Sequence, residues 1–178
     1  MGHPSWLPVV CAFAILLLAK SLAAAQDRHD PLNRDEINQL RDTAPEPEKR
    51  LALYVKFIKA RTTALEQLYS DPRLQSDRAA RLHDLLDDID NLVQQLDDNI
   101  DAYANRHADL RKPLRAVIEF ESAWEPKLRA MRESSHPHDL EVYGFVLDDT
   151  LHALHDSSEG ARQLLKEQEV TFQAAKGK

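Results

Sequence analysis

Apolar positions along this chain recur at alternating steps of three and four residues, the repeat that lines one face of an α-helix. Leu82, Leu86, Ile89, Val93, Leu96, Ile100, Tyr103, His107 and Leu110 keep that alternation without a break. Leu85 and Leu92 widen the seam to the stripe of a helix that faces a core. Asp77, just ahead, suits an N-cap, because its carboxylate can accept the free amides of a first turn. An earlier face, Leu51, Val55, Ile58, Thr62, Leu65 and Tyr69, ends at Ser70-Asp71-Pro72, where proline lacks the donor and disfavours helical geometry before it.

Three further segments follow from the same reading. Asn33 caps a short helix over 34–43 that carries Ile37 and Leu40, with Asp35 and Glu36 in its first turn. Pro45 and Pro47 interrupt it, and Pro47 stands near the start of the next helix. After Arg111-Lys112-Pro113, Leu114, Val117, Ile118, Trp124, Leu128 and Met131 point inward, Phe120 falls off that seam, and Pro126 predicts a kink or a break. Beyond the loop Ser134–His138, Asp139 or His138 precedes a last helix. It carries Leu140, Tyr143, Leu147, Leu151, Leu154, Ser158, Ala161, Leu165 and Phe172, with Gly144 and Gly160 weakening it.

Amphipathic segments, short connections and no alternating strand pattern predict an all-α protein, an antiparallel four-helix bundle with two long helices and a short N-terminal extra helix. The second and fourth bundle helices are expected to reach about 32 to 35 residues and the others about 24, at 1.5 Å per residue. An uncovered overhang would call for a partner. The expected organisation is a signal peptide at 1–25, an N-terminal segment with the short helix at 26–45, the helical domain at 46–173 and a flexible tail at 174–178.

Composition changes the picture mainly at the N-terminus. The apolar run from Val9 to Ala19 has the length of a secretory core segment, and Ala23-Ala24-Ala25 offers small residues for cleavage before the polar Gln26-Asp27-Arg28. The first five residues, MGHPS, lack Lys and Arg, which leaves an uncleaved anchor as the competing reading. Cys11 follows the branched Val10, unlike a lipoprotein signal, and it is the one cysteine of the chain. The mature protein therefore has neither disulfide nor thiol nucleophile, in keeping with a periplasmic or secreted location. Removing residues 1–25 takes away Lys20 and no acidic residue, so the formal charge of −7 becomes −8. Such a balance argues against nucleic acid as a partner, and membrane contact is expected only through an uncleaved signal segment.

Candidate chemistry is sparse. Asp97-Asp98-Asn99-Ile100-Asp101 resembles, as letters, the first metal motif of helical isoprenoid synthases, but a second metal motif is absent. With Leu96 and Ile100 inward, Asp97 and Asp101 fall on the flank and Asp98 on the far side, a solvated face continued by Asp87 and Asp90. Asp148, His152, His155 and Glu159 form a stripe on the last helix, and Asp148, His152 and His155 are the candidate ligands for a divalent metal, assisted by His136 and His138 if the loop folds back. No HExxH occurs, and Glu133-x-x-His136 is half of a di-iron carboxylate pattern. Arg106, Arg111, Lys112 and Arg115 cluster at a connection, where they suit pairing with nearby acids and helix carbonyls or docking to an anionic partner. No nucleophile elbow and no glycine-rich phosphate loop is present.

Two stretches, PEPEKRLALYVKFIKAR at 45–61 and LDDNIDAYANRHADLRKPLRAVIE at 96–119, resemble segments of small exported helical bacterial proteins that carry no assigned activity. The resemblance implies export and a helical fold, without a substrate. The expected function is that of a non-enzymatic exported helical protein, with no cofactor, acting through helix-face contacts with itself or another protein in an adaptor, chaperone-like or structural role. The rival expectation is a metal-responsive binder or sensor built on Asp148, His152 and His155.

Overall fold

The structure, a computed structural model, describes residues 30–71 and 77–176, with the side chains of 174–176 left aside. The expected signal peptide at 1–25, Pro72 of the first turn and the last two residues of the tail lie outside the described residues. Everything described is helix or connection, and residues 31 onward form one compact unit. The helices are α1 (Arg34–Asp42), α2 (Pro47–Ser70), α3 (Arg78–Ala104), α4 (Arg111–Ser134) and α5 (Pro137–Lys176). Among the described residues no helix is long and apolar enough to cross a membrane.

The local signals act much as their chemistry predicts. Asn33 Oδ1 accepts the Asp35 and Glu36 amides while Glu36 Oε2 accepts the Asn33 amide at 3.0 Å, a complete capping box. Pro47 opens α2 and Pro137 opens α5, two residues earlier than Asp139, because a first-turn proline gives up no intrahelical bond. Asp77 precedes α3 without a side-chain capping bond. Pro126 neither ends nor divides α4, which is continuous over 24 residues. The reason is its position: Pro126 and Ser122, whose carbonyl loses its partner, both lie on the exposed side, where water replaces the bond.

α3 is shorter than its seam suggested, at 27 residues, because it stops at Ala104 and not near Leu110. His107 adopts φ 59°, the left-handed conformation. Its amide donates to Ala104 O at 2.8 Å and the Ala108 amide to Tyr103 O at 3.1 Å, the paired bonds of a Schellman ending. His107 is consequently exposed and leaves the seam, whereas Leu110 returns to the core across the connection. α5 is longer than expected, at 40 residues, or about 60 Å.

One apolar core runs through the four long helices. It is centred on Leu82, Leu86, Ile89, Leu96, Leu114 and Leu128, with Leu51, Ile58 and Leu65 from α2 and Tyr143, Leu147 and Leu154 from α5. The backbone neighbours are α2 with α3, α3 with α5, α5 with α4 and, more thinly, α4 with α2; α1 rests on α2 alone. α3 and α4, consecutive in the chain, are not backbone neighbours, and neither are α2 and α5. Side-chain contacts give the directions. Between α4 and α5 the partners run oppositely, from Arg132–Asp148 to Arg115–Glu169. Between α3 and α5 they rise together, from Arg78–Asp139 through Leu86–Thr150 to Asp97–Ser157. α2 and α4 also rise together, from Glu48–Lys112 to Tyr69–Ser134.

Near the end of α5, Gln168 and Phe172 are tied to the connection between α3 and α4. Gln168, buried, donates from Nε2 to Ala108 O at 2.9 Å and accepts the Leu110 amide at 2.8 Å, which fastens the 105–110 connection onto the helix. Arg111 stacks on Phe172 at 4.6 Å from its centroid.

Candidate functional site

Glu121 is the departure from an otherwise apolar core that matters most. Leu110, Leu114, Val117, Glu121, Trp124, Leu128 and Met131 keep the three-and-four alternation, so Glu121 occupies a seam position of α4. It is 0% exposed. Phe120, which falls off the seam, is buried in the core, and Trp124, which fits it, is half-buried against the core. Lys59 lies 5.6 Å from the Phe120 ring centroid, and Lys127 lies 4.4 Å from that of Trp124.

Three helices converge on the Glu121 carboxyl. Ser157 of α5, also buried, places Oγ 2.8 Å from Glu121 Oε1 and 2.6 Å from Oδ1 of Asp97 on α3. Glu121 Oε2 has no hydrogen-bond partner. Burial pushes the Glu121 carboxyl up to about 8; the Asp97 charge adds to the rise, while Ser157 and Arg162 oppose it. Burial likewise pushes Asp97 up to about 6, against the hydrogen bond from Ser157, with Asp101, Asp98 and Asp156 adding repulsion. Asp97 and Ser157 open onto a groove of about 310 Å³ between α3 and α5, lined also by Asp101, Asp156 and Gly160.

This corrects part of the acidic-face reading. Asp98 and Asp101 are exposed as expected, but Asp97 is half-buried and hydrogen-bonded because α5 packs on its flank. Asp90, expected on the same outer surface, is half-buried too, and its carboxyl is raised by burial and by Asp149 and Asp87. The parallel α3–α5 contact therefore carries acids on both sides.

The histidine stripe is distributed differently. Both oxygens of Asp148 are taken by Arg132, at 2.8 and 3.2 Å. His152 is exposed, His155 Nδ1 lies 3.6 Å from Glu125 Oε1, and Glu159 pairs with Arg162 at 2.5 Å. His136 and His138 do not fold back onto the stripe. Because His138 already belongs to α5, it stands about 21 Å along the axis from His152. Among the described residues no group of three or more His, Cys, Asp or Glu is placed to hold a metal ion.

No family model matches the chain, and no curated protein or solved structure matches it.

The basic group at the connection is neutralised locally. Arg111 pairs with Asp109 at 2.6 Å, Lys112 with Glu48 at 2.5 Å and Arg115 with Glu169 at 2.7 Å, while Arg106 lies over the Tyr103 ring. These exposed pairs contribute little to stability individually. A more buried pair holds α1. Arg61 of α2 grips both oxygens of Glu36 and donates to Pro31 O at 2.7 Å. Burial alone would raise the Glu36 carboxyl, but the Arg61 hydrogen bond and the Asn33 amide outweigh it and hold it below its ordinary value.

Glu36, Glu121 and Ser157 were missed by the sequence reading. Glu121 had a visible signal, an ionisable residue at a seam position between Val117 and Leu128. Glu36 is recognisable as a cap residue, but its ion pair with Arg61, 25 residues away, is set by how α1 folds back. Ser157 stands beside the Ser158 seam position and is buried because α5 faces two helices at once.

Proposed function

We propose that this is a non-enzymatic exported protein, periplasmic or secreted, whose long helices close into a four-helix bundle that works through helix-face contacts with a protein partner or a second copy. The closed ring of neighbours, α2–α3–α5–α4, supports the bundle reading. The contact surface in this reading is the outer face of α5 around Val142 and Phe145.

One observation carries it: Phe145 is 81% exposed and Val142 is 45% exposed, one turn apart on the same helix. Scattered exposed apolar residues are ordinary. Here two neighbours leave water-exposed area: burial of Phe145 would contribute roughly 1.5–3 kcal/mol, and of the half-exposed Val142 less than about half as much. At the 105–110 connection Asp109 pairs with Arg111 and Arg106 lies over the Tyr103 ring, which leaves the apolar pair as the better recognition feature.

The test places a photoreactive cross-linker at position 145 in the protein expressed in its native envelope, with position 119 as an exposed control, alongside sedimentation of the purified protein. A discrete cross-linked product at 145, or self-association that Phe145→Ser abolishes without lowering thermal stability, supports the reading. A monomer at all concentrations with no product specific to position 145 overturns it.

A further inference from the structure

We infer that the Glu121–Ser157–Asp97 junction holds a single shared proton and works as a pH-sensitive latch that locks α4 onto α3 and α5 and loosens as that proton is lost.

Hydrogen counting comes first. Ser157 has one hydroxyl hydrogen and faces two carboxyls, with oxygens at 2.6 and 2.8 Å. If both acids were ionised, one of those contacts would be two oxygens with no hydrogen between them. A second hydrogen must sit on a carboxyl, and the surroundings decide which. Glu121 is fully buried, and its Oε2 finds no donor, which a neutral carboxyl tolerates and a carboxylate does not. Asp97 is half-buried and opens to the α3–α5 groove. The arrangement is therefore a relay in which the Glu121 acid donates to Ser157 Oγ and Ser157 donates to the Asp97 carboxylate.

The charges around it do not replace the proton. From α5 come Arg162 and Asp156; from α3 come Asp97, Asp98 and Asp101; on α2, Lys59 lies over the Phe120 ring next to Glu121 in sequence. Glu125 and Ser122 flank on α4 itself. Among the described residues Arg162 is the cation that acts on Glu121, and it is already committed to Glu159 at 2.5 Å and Ser122 at 2.6 Å. Loss of the proton thus puts two carboxylates on one hydroxyl, at the point where three helices meet.

The sign follows from linkage. Glu121 binds its proton more tightly folded than unfolded, so its contribution is fully present below the ordinary carboxyl value of 4.5 and is lost as pH rises towards about 8. In the part of that window above about 6, where Asp97 is already ionised, the opening equilibrium grows by about tenfold per pH unit for one proton. An exported protein meets such changes directly. The groove beside Asp97 gives the proton a route to solvent.

The experiment is a side-chain carboxyl titration by carbon NMR on the intact protein, with the Glu121 signal assigned by through-bond correlation to its own backbone in the wild-type protein. Hydrogen exchange of α4 and α5 runs in parallel from pH 6 to 9, corrected for intrinsic rates. The expected result is a Glu121 carboxyl still protonated at pH 6 and local opening around residues 117–125 and 153–161 that rises at least tenfold by pH 9. Glu121→Gln, which keeps a donor to Ser157 but cannot ionise, should flatten that rise. Ser157→Ala should separate the Asp97 titration from that of Glu121. A Glu121 carboxyl ionised by pH 6 in the wild-type protein overturns the inference, whether or not the variants fold, and so does an alkaline rise undiminished in Glu121→Gln.

Discussion

Replacing Arg61 by Met isolates what holds α1 in place. The Arg61 and Glu36 side chains are 16% and 10% exposed, and the guanidinium also donates to Pro31 O. Removing one member of a buried ion pair costs roughly 3–5 kcal/mol when the remaining charge stays buried. Here a ceiling applies, because α1 is nine residues long and packs on α2 alone. A helix so short is not stable by itself. Letting it detach exposes Leu40 and breaks the bonds from Arg50 to Leu40 O and from Tyr103 to Ala44 O at 2.6 Å, but recovers chain entropy. The smaller cost wins, so Arg61→Met should lower stability by about 2–3 kcal/mol and abolish the exchange protection of α1 amides, leaving those of α3 intact. Urea unfolding followed by helical circular dichroism gives the first quantity, and native-state hydrogen exchange gives the second. The pair's contribution belongs to an acid with a lowered folded-state value. It is present above the ordinary 4.5 and lost as pH falls through the lower value, so wild type and variant should converge once the pH is below that lowered value. A loss below about 0.5 kcal/mol at pH 7, with α1 still protected, would refute this account of the pair.

Two further substitutions test backbone readings. Gly160→Ala should raise stability by about 0.5–1 kcal/mol in thermal unfolding, since a methyl there meets nothing within 4 Å and helical glycine is entropically costly; an unchanged or lower midpoint would contradict it. His107→Gly should stabilise by about 1 kcal/mol by relieving the left-handed conformation that ends α3, and destabilisation would mean that the imidazole contributes contacts outweighing that strain.

The helical content was legible because each long segment repeats its apolar residues on one face, and that repeat survives without knowing what the face meets. The ends were less legible. His107 fits the α3 seam by spacing, yet it is the residue that terminates the helix, since nothing in a periodic pattern reports a left-handed turn at a non-glycine position. Phe120, off the alternating seam, is buried while Trp124, on it, is half-buried, because spacing alone does not report which neighbouring helices cover each flank. Neighbour relations were not legible at all: the face of α3 does not say that α5 lies beside it in the same direction. For that reason Asp97 read as wet while being half-covered. Glu121 lay in plain view on its own seam, but its consequence needed Ser157 and Asp97, which reach it from two other helices.

The 105–110 connection has a consequence for how the chain assembles. It carries the polypeptide between helices that do not neighbour each other, so the structure is two helical hairpins, α2 with α3 and α4 with α5, mated side by side. Within a hairpin the far-end pairs, Arg50 with Asn99 and Arg115 with Glu169, are 49 and 54 positions apart, and mating adds pairs 60 and 64 positions apart, Asp97 with Ser157 and Leu86 with Thr150. A joint of six residues pinned by Gln168 keeps that mating within one molecule. Unpinned, the same joint is where two copies would trade hairpins.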